Sequence, residues 1–252
     1  RSVSDAALMM AVLSQPDWRD HMSLPAERIE WMALGRELRG LRIGLMLNAG
    51  WGLSAEPQVI AAITAAARAF EAAGAIVEPL APFVDREMAD GIDRFWRTRA
   101  WVDLQAFDAP QRSRVLPFIV QWAEAGFHLS GVELMRCYHQ TLAVRAATVA
   151  ACQPFDFVLS PVAPIPAFAA ELPCPTNDPA RPFEHIAYTL PFNMSEQPAA
   201  SINAGYTAEG LPIGLQIVGR RFDDLGALQM AHAWEQMRPS QRPWPMLPPQ
   251  PA

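Results

Sequence analysis

The order strand, helix, strand between residues 41 and 80 constrains the fold of this chain more than any other feature. The runs 41–47 (LRIGLML) and 75–80 (AIVEPL) are short and apolar, as buried strands are. Between them, residues 56–73 repeat apolar side chains at helical spacing, with Ser54 as the predicted N-cap and Gly74 at the end. Such a βαβ unit predicts a parallel or mixed sheet.

The rest of the chain adds further helices and strands to this unit. Helices are predicted at 3–14, 84–107, 115–126, 130–151 and from 223 onward, and strands at 155–162, 199–207 and 211–219. Ser4 or Asp5 is the predicted cap of the first helix, and Ser130 with Glu133 forms a capping box for the helix at 130–151. On this helix the side chains predicted to face inward are Leu134, Tyr138, Leu142 and Val149.

Together these elements predict an α/β fold, a mixed and largely parallel sheet flanked by helices on both faces. Residues 1–238 are expected to belong to a single domain and residues 239–252 to form a Pro-rich tail. Residues 161–182 hold seven prolines and predict a long, stiff loop. A loop of that length inside a compact domain is usually functional or peripheral.

Composition narrows the chemistry that the chain can perform. All 20 basic residues are Arg, so no lysine base or Schiff-base lysine can come from this chain. The net charge of −6 offers no general attraction to nucleic acid or to anionic lipid, and we expect neither a direct nucleic-acid partner nor a membrane partner. The first residue is Arg1 rather than Met, which leads us to expect that the natural chain continues upstream.

The sequence offers no complete catalytic set or metal site of its own. The five histidines are scattered without i,i+4 pairing, and the three cysteines have no CxxC spacing. We therefore expect no metal and no cofactor, and the cysteines are interpreted as reduced thiols of a cytoplasmic protein.

Gly50-Trp51-Gly52, with Glu78 near the end of the next strand, superficially matches a dinucleotide-binding fingerprint. Glu56 would repel a pyrophosphate at the helix start, but a nucleotide-binding module on residues 41–80 stays open as an alternative.

The stretch 189–224 is the most distinctive part of the chain. It contains Thr189, then Pro-Phe-Asn at 191–193, Gln-Pro-Ala at 197–199 and Gly-Leu-Pro-Ile-Gly-Leu-Gln at 210–216. This order closely resembles the C-terminal signature of the amidase-signature family. The opening RSVSDAALMMAVLSQPD and the runs at 41–47, 72–80 and 155–167 also resemble sequences of that family. Departures occur at Glu196, where members usually have Gly, at Asn203 (Pro) and at Val162 (Thr).

The resemblance implies hydrolysis of a carboxamide to an acid plus ammonia or amine, without metal or cofactor. Members use a Ser nucleophile, a second Ser and a Lys base, all in their N-terminal half, so no catalytic residue is assigned here. The implied partners are a small-molecule amide and the missing N-terminal half, with a homodimer possible. The alternatives are a catalytically dead structural fragment or a tRNA-dependent amidotransferase subunit.

Six residues are candidates for shaping the substrate cleft. In the family, the segment matching Phe192, Asn193 and Ser195 runs close to the substrate, and Asn193 would serve as a polar clamp. The helix matching 94–105 lies towards the mouth of the cleft, which makes Trp96, Arg97 and Trp101 candidate substrate contacts. The aromatic members of both groups could equally be ordinary core residues, because Trp is usually well buried.

Overall fold

The computed structural model describes residues 2–243, and within this range five strands form one sheet. The strands are β1 (Arg42–Leu45), β2 (Ile76–Pro79), β3 (Phe157–Pro161), β4 (Ala199–Tyr206) and β5 (Pro212–Val218). Their spatial order is β2-β1-β3-β5-β4; β1 is parallel to β2 and β3, and β5 is antiparallel to β3 and β4. Four of the five strands thus run in one direction, which confirms the prediction of a mixed, largely parallel sheet.

Helices cover both faces of this sheet, as predicted. The helices are α1 (Val3–Leu13), α2 (Pro57–Ala72), α3 (Arg86–Gln105), α4 (Ala109–Arg112), α5 (Pro117–Glu124), α6 (Gly131–Cys152), α7 (Leu190–Ser195) and α8 (Asp224–Met237). On one face, α1, α2 and α8 pack on Phe157 and Leu159 of β3. On the other, Cys152 and Phe192 from α6 and α7 pack on Val158 of the same strand. Because β3 is buried on both sides, its residues 157–159 form a continuous apolar run, and the buried Ser160 follows them.

Two helix caps differ from the prediction. Helix α1 begins at Val3 as predicted, but its N-cap is Ser2, the residue before it, and not Ser4 or Asp5; Asp5 completes the capping box with Ser2. Helix α2 begins at Pro57 with Glu56 in the extended N-cap position, and Ser54 does not cap it. A proline at the first helical position has no N–H to satisfy, so this start tolerates the lack of a side-chain cap. The box of Ser130 and Glu133 on α6 is confirmed.

The inward face of α6 is the largest departure from the sequence expectation. Tyr138, Leu142 and Val149 are 40%, 46% and 42% exposed rather than buried. The residues that do face the core are smaller: Cys137, Val144, Thr148 and Cys152. At Gly91 of α3, a Cβ atom would lie 2.4 Å from a side-chain atom of α6, so the two helices pack closely. Small side chains permit this approach, and the larger apolar stripe is therefore turned outward.

The segment after α8 has no regular structure in its described part. Residues 239–243 form neither helix nor strand, and the remainder of the predicted tail, 244–252, lies outside the described residues. Among the residues described, none of the helices is long and apolar enough to cross a membrane.

Candidate functional site

The connections between the strands create a crevice at one edge of the sheet. Helix α2 follows β1 onto one face, whereas α3 to α6, which lead into β3, lie on the opposite face. In the strand order β2-β1-β3-β5-β4, the chain continues from β1 to β2 on one side and from β3 to β4 and β5 on the other. Ligands of open α/β sheets bind at such a switch point, outside the carboxyl ends of the strands.

The loops that leave these two strands are held to one another by backbone hydrogen bonds. The Glu56 N–H donates to the Pro164 carbonyl at 2.8 Å, and the Leu53 N–H donates to the Glu184 carbonyl at 2.9 Å. Gly52 has a φ of +79°, and a Cβ atom there would lie 2.5 Å from the Glu184 oxygen. Glycine is thus required both by conformation and by space. The Pro-rich segment is consequently fixed over the ends of the strands.

Under the Pro-rich segment lies a cavity of about 520 Å³, which we call the strand-end cavity. Its walls are Val59, Val162, Ala163, residues 165–170, Leu172, His185, Ser201 and residues 212–214. Within this lining, His185 and Ser201 supply the polar side chains. A volume of this size is in the range of small-molecule sites, which are concave and mostly apolar with a few polar groups.

His185 is the titratable group in the strand-end cavity. Its Nδ1 atom is buried and makes no hydrogen bond to any residue described. Burial lowers the pKa of His185 below its ordinary value of 6.5, so the ring is neutral at neutral pH. The Phe168 ring meets the imidazole edge to face, with 5.7 Å between ring centroids. His185 therefore lines the cavity as a neutral imidazole.

A second cavity, of about 400 Å³, lies at the end of β1 and is lined by residues 47–55, Ile60 and Tyr188. It contains the Gly50-Trp51-Gly52 sequence that suggested a nucleotide. The Arg86 guanidinium lies 5.8 Å from the centre of the Trp51 ring and is also bonded to the Glu184 carboxylate at 2.6 Å. Hydrogen bonds from Arg86 lower the pKa of Glu184. This cluster ties the loop after β1 to α3.

Gln216, the last residue of the Gly-Leu-Pro signature, links three parts of the site. Its buried Nε2 donates to the Ser160 hydroxyl at 2.8 Å and to the Tyr188 carbonyl at 2.9 Å. The Tyr188 hydroxyl in turn donates to the Leu47 carbonyl at 2.8 Å. The signature glutamine thus fixes the ends of β1 and β3 relative to β5, a role that needs both a donor and the reach of an amide side chain.

The three predicted site residues on α7 differ in accessibility. Phe192 is 2% exposed and packs on the sheet, and Ser195 is fully buried. The Ser195 hydroxyl lies 3.0 Å from the Gln197 amide oxygen, to which it donates. Asn193 is exposed, and its side-chain amide donates to the Thr189 carbonyl at 3.1 Å. Asn193 is thus the member of this group that a ligand can reach.

The three predicted site residues on α3 belong to an aromatic and ionic cluster. Arg97 is bonded to Asp93 at 2.7 Å and donates to the Pro179 carbonyl at 2.9 Å, so it holds the Pro-rich segment instead of facing solvent. Trp96 packs edge to face on Phe183, with 5.1 Å between centroids. Trp101 is half-buried, and its indole N–H is buried and has no partner among the residues described.

Trp96 and the α7 residues Leu190 and Met194 contact one hydrophobic cluster, which places the two predicted groups side by side. None of the six predicted residues lines the strand-end cavity or the cavity after β1. The sequence reasoning missed His185 and Ser201 because single residues of these types carry no pattern. The unusual proline content of the loop was the signal that pointed to this part of the chain.

The positions that depart from the resemblance have clear local structures. Glu196 ends α7 in the left-handed conformation, with a φ of +60° that glycine adopts more easily. Its carboxylate pairs with Arg145 and, at 2.6 Å, with Arg221. Asn203 precedes a bulge in the pairing of β4 with β5. Val162 lies against Gly214, where a Cβ atom would come within 2.8 Å of a Val162 methyl carbon.

The cysteines are buried away from the site, and the described residues form no metal-binding cluster. Cys137, Cys152 and Cys174 are free and buried, and burial raises the pKa of Cys152 to about 11. In the part of the chain that the structure describes, no three His, Cys, Asp or Glu side chains come together as a metal site.

Comparison with known proteins identifies relatives over nearly the whole chain. The family model described as Amidase matches residues 1–228. A glutamyl-tRNA(Gln) amidotransferase subunit of Myxococcus xanthus is 30% identical over 93% of this chain and 53% of that protein. The corresponding protein of Thermodesulfovibrio yellowstonii is 28% identical, over 98% of this chain and 55% of that protein. The chain thus spans about half the length of the curated relatives it matches.

Solved structures of amidase-signature enzymes also match this chain. A bacterial aryl acylamidase of the amidase signature family superposes with a TM-score of 0.75 at 28% identity, over 94% of this chain and 53% of that one. The 6-aminohexanoate cyclic dimer hydrolase in complex with its substrate gives a TM-score of 0.80 at 20% identity, over 95% and 54% of the two chains. At that lower identity the likeness concerns the fold alone.

Proposed function

This chain belongs to the amidase-signature family, and from that premise we propose that it is half of an enzyme hydrolysing a carboxamide C–N bond to an acid plus ammonia or amine. The observation that carries the proposal is the strand-end cavity, which lies at the carboxyl end of β3, one of the two strands that form the switch point where α/β proteins bind small molecules. The match to half of each relative supports a division of labour between this chain and an upstream half.

In this proposal the chain forms a wall of the cleft and the scaffold beneath it. The family resemblance assigns the Ser nucleophile, the bridging Ser and the Lys base to the upstream half, and the absence of Lys from this chain is consistent with that. The upstream half and the amide substrate are the proposed partners, and a homodimer is a further possibility. The three free, buried cysteines support a cytoplasmic location.

The six predicted residues fit this role in two ways. Phe192, Ser195 and Arg97 are held by the core or by ion pairs, and we propose that they position α7 and the Pro-rich segment. Asn193 is exposed, so it can still contact a substrate, whereas the unpartnered indole N–H of Trp101 is buried in this half of the enzyme. Trp96 joins the two groups through the hydrophobic cluster that it shares with α7.

The test is release of ammonia or amine from a panel of amides by the full-length gene product. Ser201 and Ala199 are both exposed and are two residues apart on β4, so their side chains point to the same face of the sheet. Ser201→Phe places an aromatic ring in the strand-end cavity, whereas Ala199→Phe adds the same ring outside its lining. We expect turnover to be lost in S201F and kept in A199F. No hydrolysis of any amide by the unmodified protein would refute the proposal and favour a catalytically dead structural role.

A second candidate function is that of an amidotransferase subunit, favoured by the 30% identity to such a protein in Myxococcus xanthus. It predicts hydrolysis of free glutamine that is stimulated by partner subunits and by a tRNA carrying a misacylated amino acid. Glutamine turnover measured with and without these partners separates the two functions.

A further inference from the structure

We propose that the strand-end cavity binds an uncharged apolar group of the amide substrate, either an aryl ring or an aliphatic chain. This inference rests on the proposed function, because it specifies the class of amide that the enzyme hydrolyses. It favours an apolar carboxamide over a zwitterionic amino-acid amide such as glutamine.

The first argument is the chemistry of the walls. The side chains that line the cavity are Val, Ile, Leu, Phe, Ala and Pro, with Ser201 and His185 as the polar exceptions. Val162 contributes methyl groups at a position where the family resemblance indicates a hydroxyl-bearing Thr, and Gly214 opposite it has no side chain. An apolar group gains about 25 cal/mol per Å² of surface that it buries against such walls.

The second argument is the absence of charge. No Asp, Glu or Arg belongs to the part of the lining that the structure describes, and burial lowers the pKa of His185 so that its ring is neutral. A free amino acid would bring an ammonium and a carboxylate group into this space without partners, which is costly. The cavity therefore discriminates against zwitterionic amides by desolvation, without a specific repulsive contact.

The third argument concerns orientation. The Ser201 hydroxyl is the polar side-chain group available to a ligand among the described lining residues, because the Nδ1 atom of His185 is itself buried. A hydrogen bond donated by this hydroxyl to an amide or ether oxygen of the ligand would orient the ligand. The edge-to-face contact of Phe168 with the imidazole continues the apolar wall and gives an aryl ring a surface of suitable geometry.

The test measures kcat/KM of the full-length protein for hexanamide, benzamide, acetamide and glutamine. We expect both apolar amides to exceed acetamide by about tenfold or more and glutamine to be the poorest substrate. Val162→Thr replaces a cavity methyl by a hydroxyl and should lower the hexanamide-to-acetamide ratio by about fivefold to tenfold. The matched control is Val132→Thr, the same change at a 64% exposed position of α6, which should leave the ratio unaltered.

A second pair of variants uses equilibrium binding, so that this inference does not depend on turnover. Hexanophenone, which carries the same apolar groups but has no C–N bond to hydrolyse, should bind saturably when titrated against tryptophan fluorescence, and Phe168→Ala should weaken binding about tenfold. Phe222→Ala, at a 62% exposed position outside the lining, is the control.

Turnover of acetamide without preference for apolar amides, or an unchanged hexanamide-to-acetamide ratio in V162T, overturns this inference and leaves the proposed function intact. Saturable binding with no turnover of any amide overturns the proposed function alone. A full-length structure in which upstream side chains fill the cavity also overturns the inference.

Discussion

Glu196 combines an unfavourable backbone conformation with favourable side-chain contacts. The left-handed conformation costs a non-glycine residue about 1–2 kcal/mol, and Glu196 adopts it with a φ of +60°. Its carboxylate is 48% exposed, so the ion pairs with Arg145 and Arg221 contribute about 0–1 kcal/mol each. The two effects are similar in size, which explains how glutamate is tolerated at a glycine-like position.

This balance predicts different outcomes for two substitutions at position 196. Glu196→Ala removes the ion pairs and keeps the strain, and should lower the free energy of unfolding by about 1 kcal/mol. Glu196→Gly also removes the ion pairs but relieves the strain, and should stay within about 0.5 kcal/mol of the parent. Urea denaturation measures both, with Arg221→Ala reporting the loss of one ion pair by itself. An E196A variant as stable as E196G would show that the conformation carries no cost.

His185 predicts a pH dependence of stability. Burial lowers its pKa in the folded state below the ordinary 6.5, so the unfolded chain binds a proton at this site more readily than the folded one. The contribution of the neutral ring is complete above pH 6.5 and declines as the pH falls from there through the folded pKa. The thermal midpoint should therefore drop more between about pH 7.5 and about pH 5.5 in the parent than in His185→Gln. Equal drops in the two proteins would refute the assignment.

At the scale of elements, the contact between α3 and the end of α5 depends on Gly126. A Cβ atom there would lie 2.4 Å from the Thr98 backbone nitrogen, a contact that a flexible side chain cannot relieve. Gly126→Ala should therefore separate the two helices and destabilise the protein by about 1–3 kcal/mol. Gly131, at the start of α6, has no atom within 4 Å of the same position. Gly131→Ala should be neutral or stabilising by up to about 1 kcal/mol, and thermal denaturation of both variants compares them.

The elements that the sequence predicted best are those with a single strong period. The unit β1–α2–β2 was predictable because Val59, Ile63 and Phe70 keep helical spacing and all three are buried. The inward face of α6 was not predictable, because this helix carries two apolar stripes. The sequence pattern favoured the stripe with the larger side chains, Tyr138 and Leu142, but the stripe with smaller side chains is buried because α6 packs closely on α3.

The candidate site was only partly predictable. The seven prolines of residues 161–182 predicted a long, stiff loop, either functional or peripheral, and part of that loop covers the strand-end cavity. His185 and Ser201 reach the same cavity from two other segments of the chain. Their convergence depends on the place of β4 at the edge of the sheet, next to β5, which no local pattern encodes. Long-range strand order is what the sequence reasoning lacked.

At the scale of the whole molecule, large apolar side chains remain exposed on two helices. On α1 these are Leu8, Met9, Val12 and Leu13, each at least 60% exposed, and on α6 they form the stripe from Val132 to Val149. Contiguous apolar surface of this kind marks sites of protein contact. We propose that the upstream half, itself part of the proposed function, packs against part of this surface.

The proposal that α1 packs against an upstream half predicts opposite effects in two contexts. In the 252-residue chain studied by itself, Leu8→Gln with Val12→Gln should reduce self-association, because both side chains are exposed there. In the full-length protein the same pair should lower the unfolding free energy by about 2 kcal/mol or more, because two buried apolar groups would be lost. Sedimentation measures the self-association of the 252-residue chain, and denaturation measures the stability of the full-length protein.

The exposed pair Asp20→Ala with Glu27→Ala, on the neighbouring segment, is the control for surface substitution. A parent chain that is monomeric by itself, together with an unaffected full-length variant, would show that α1 faces solvent in the intact enzyme.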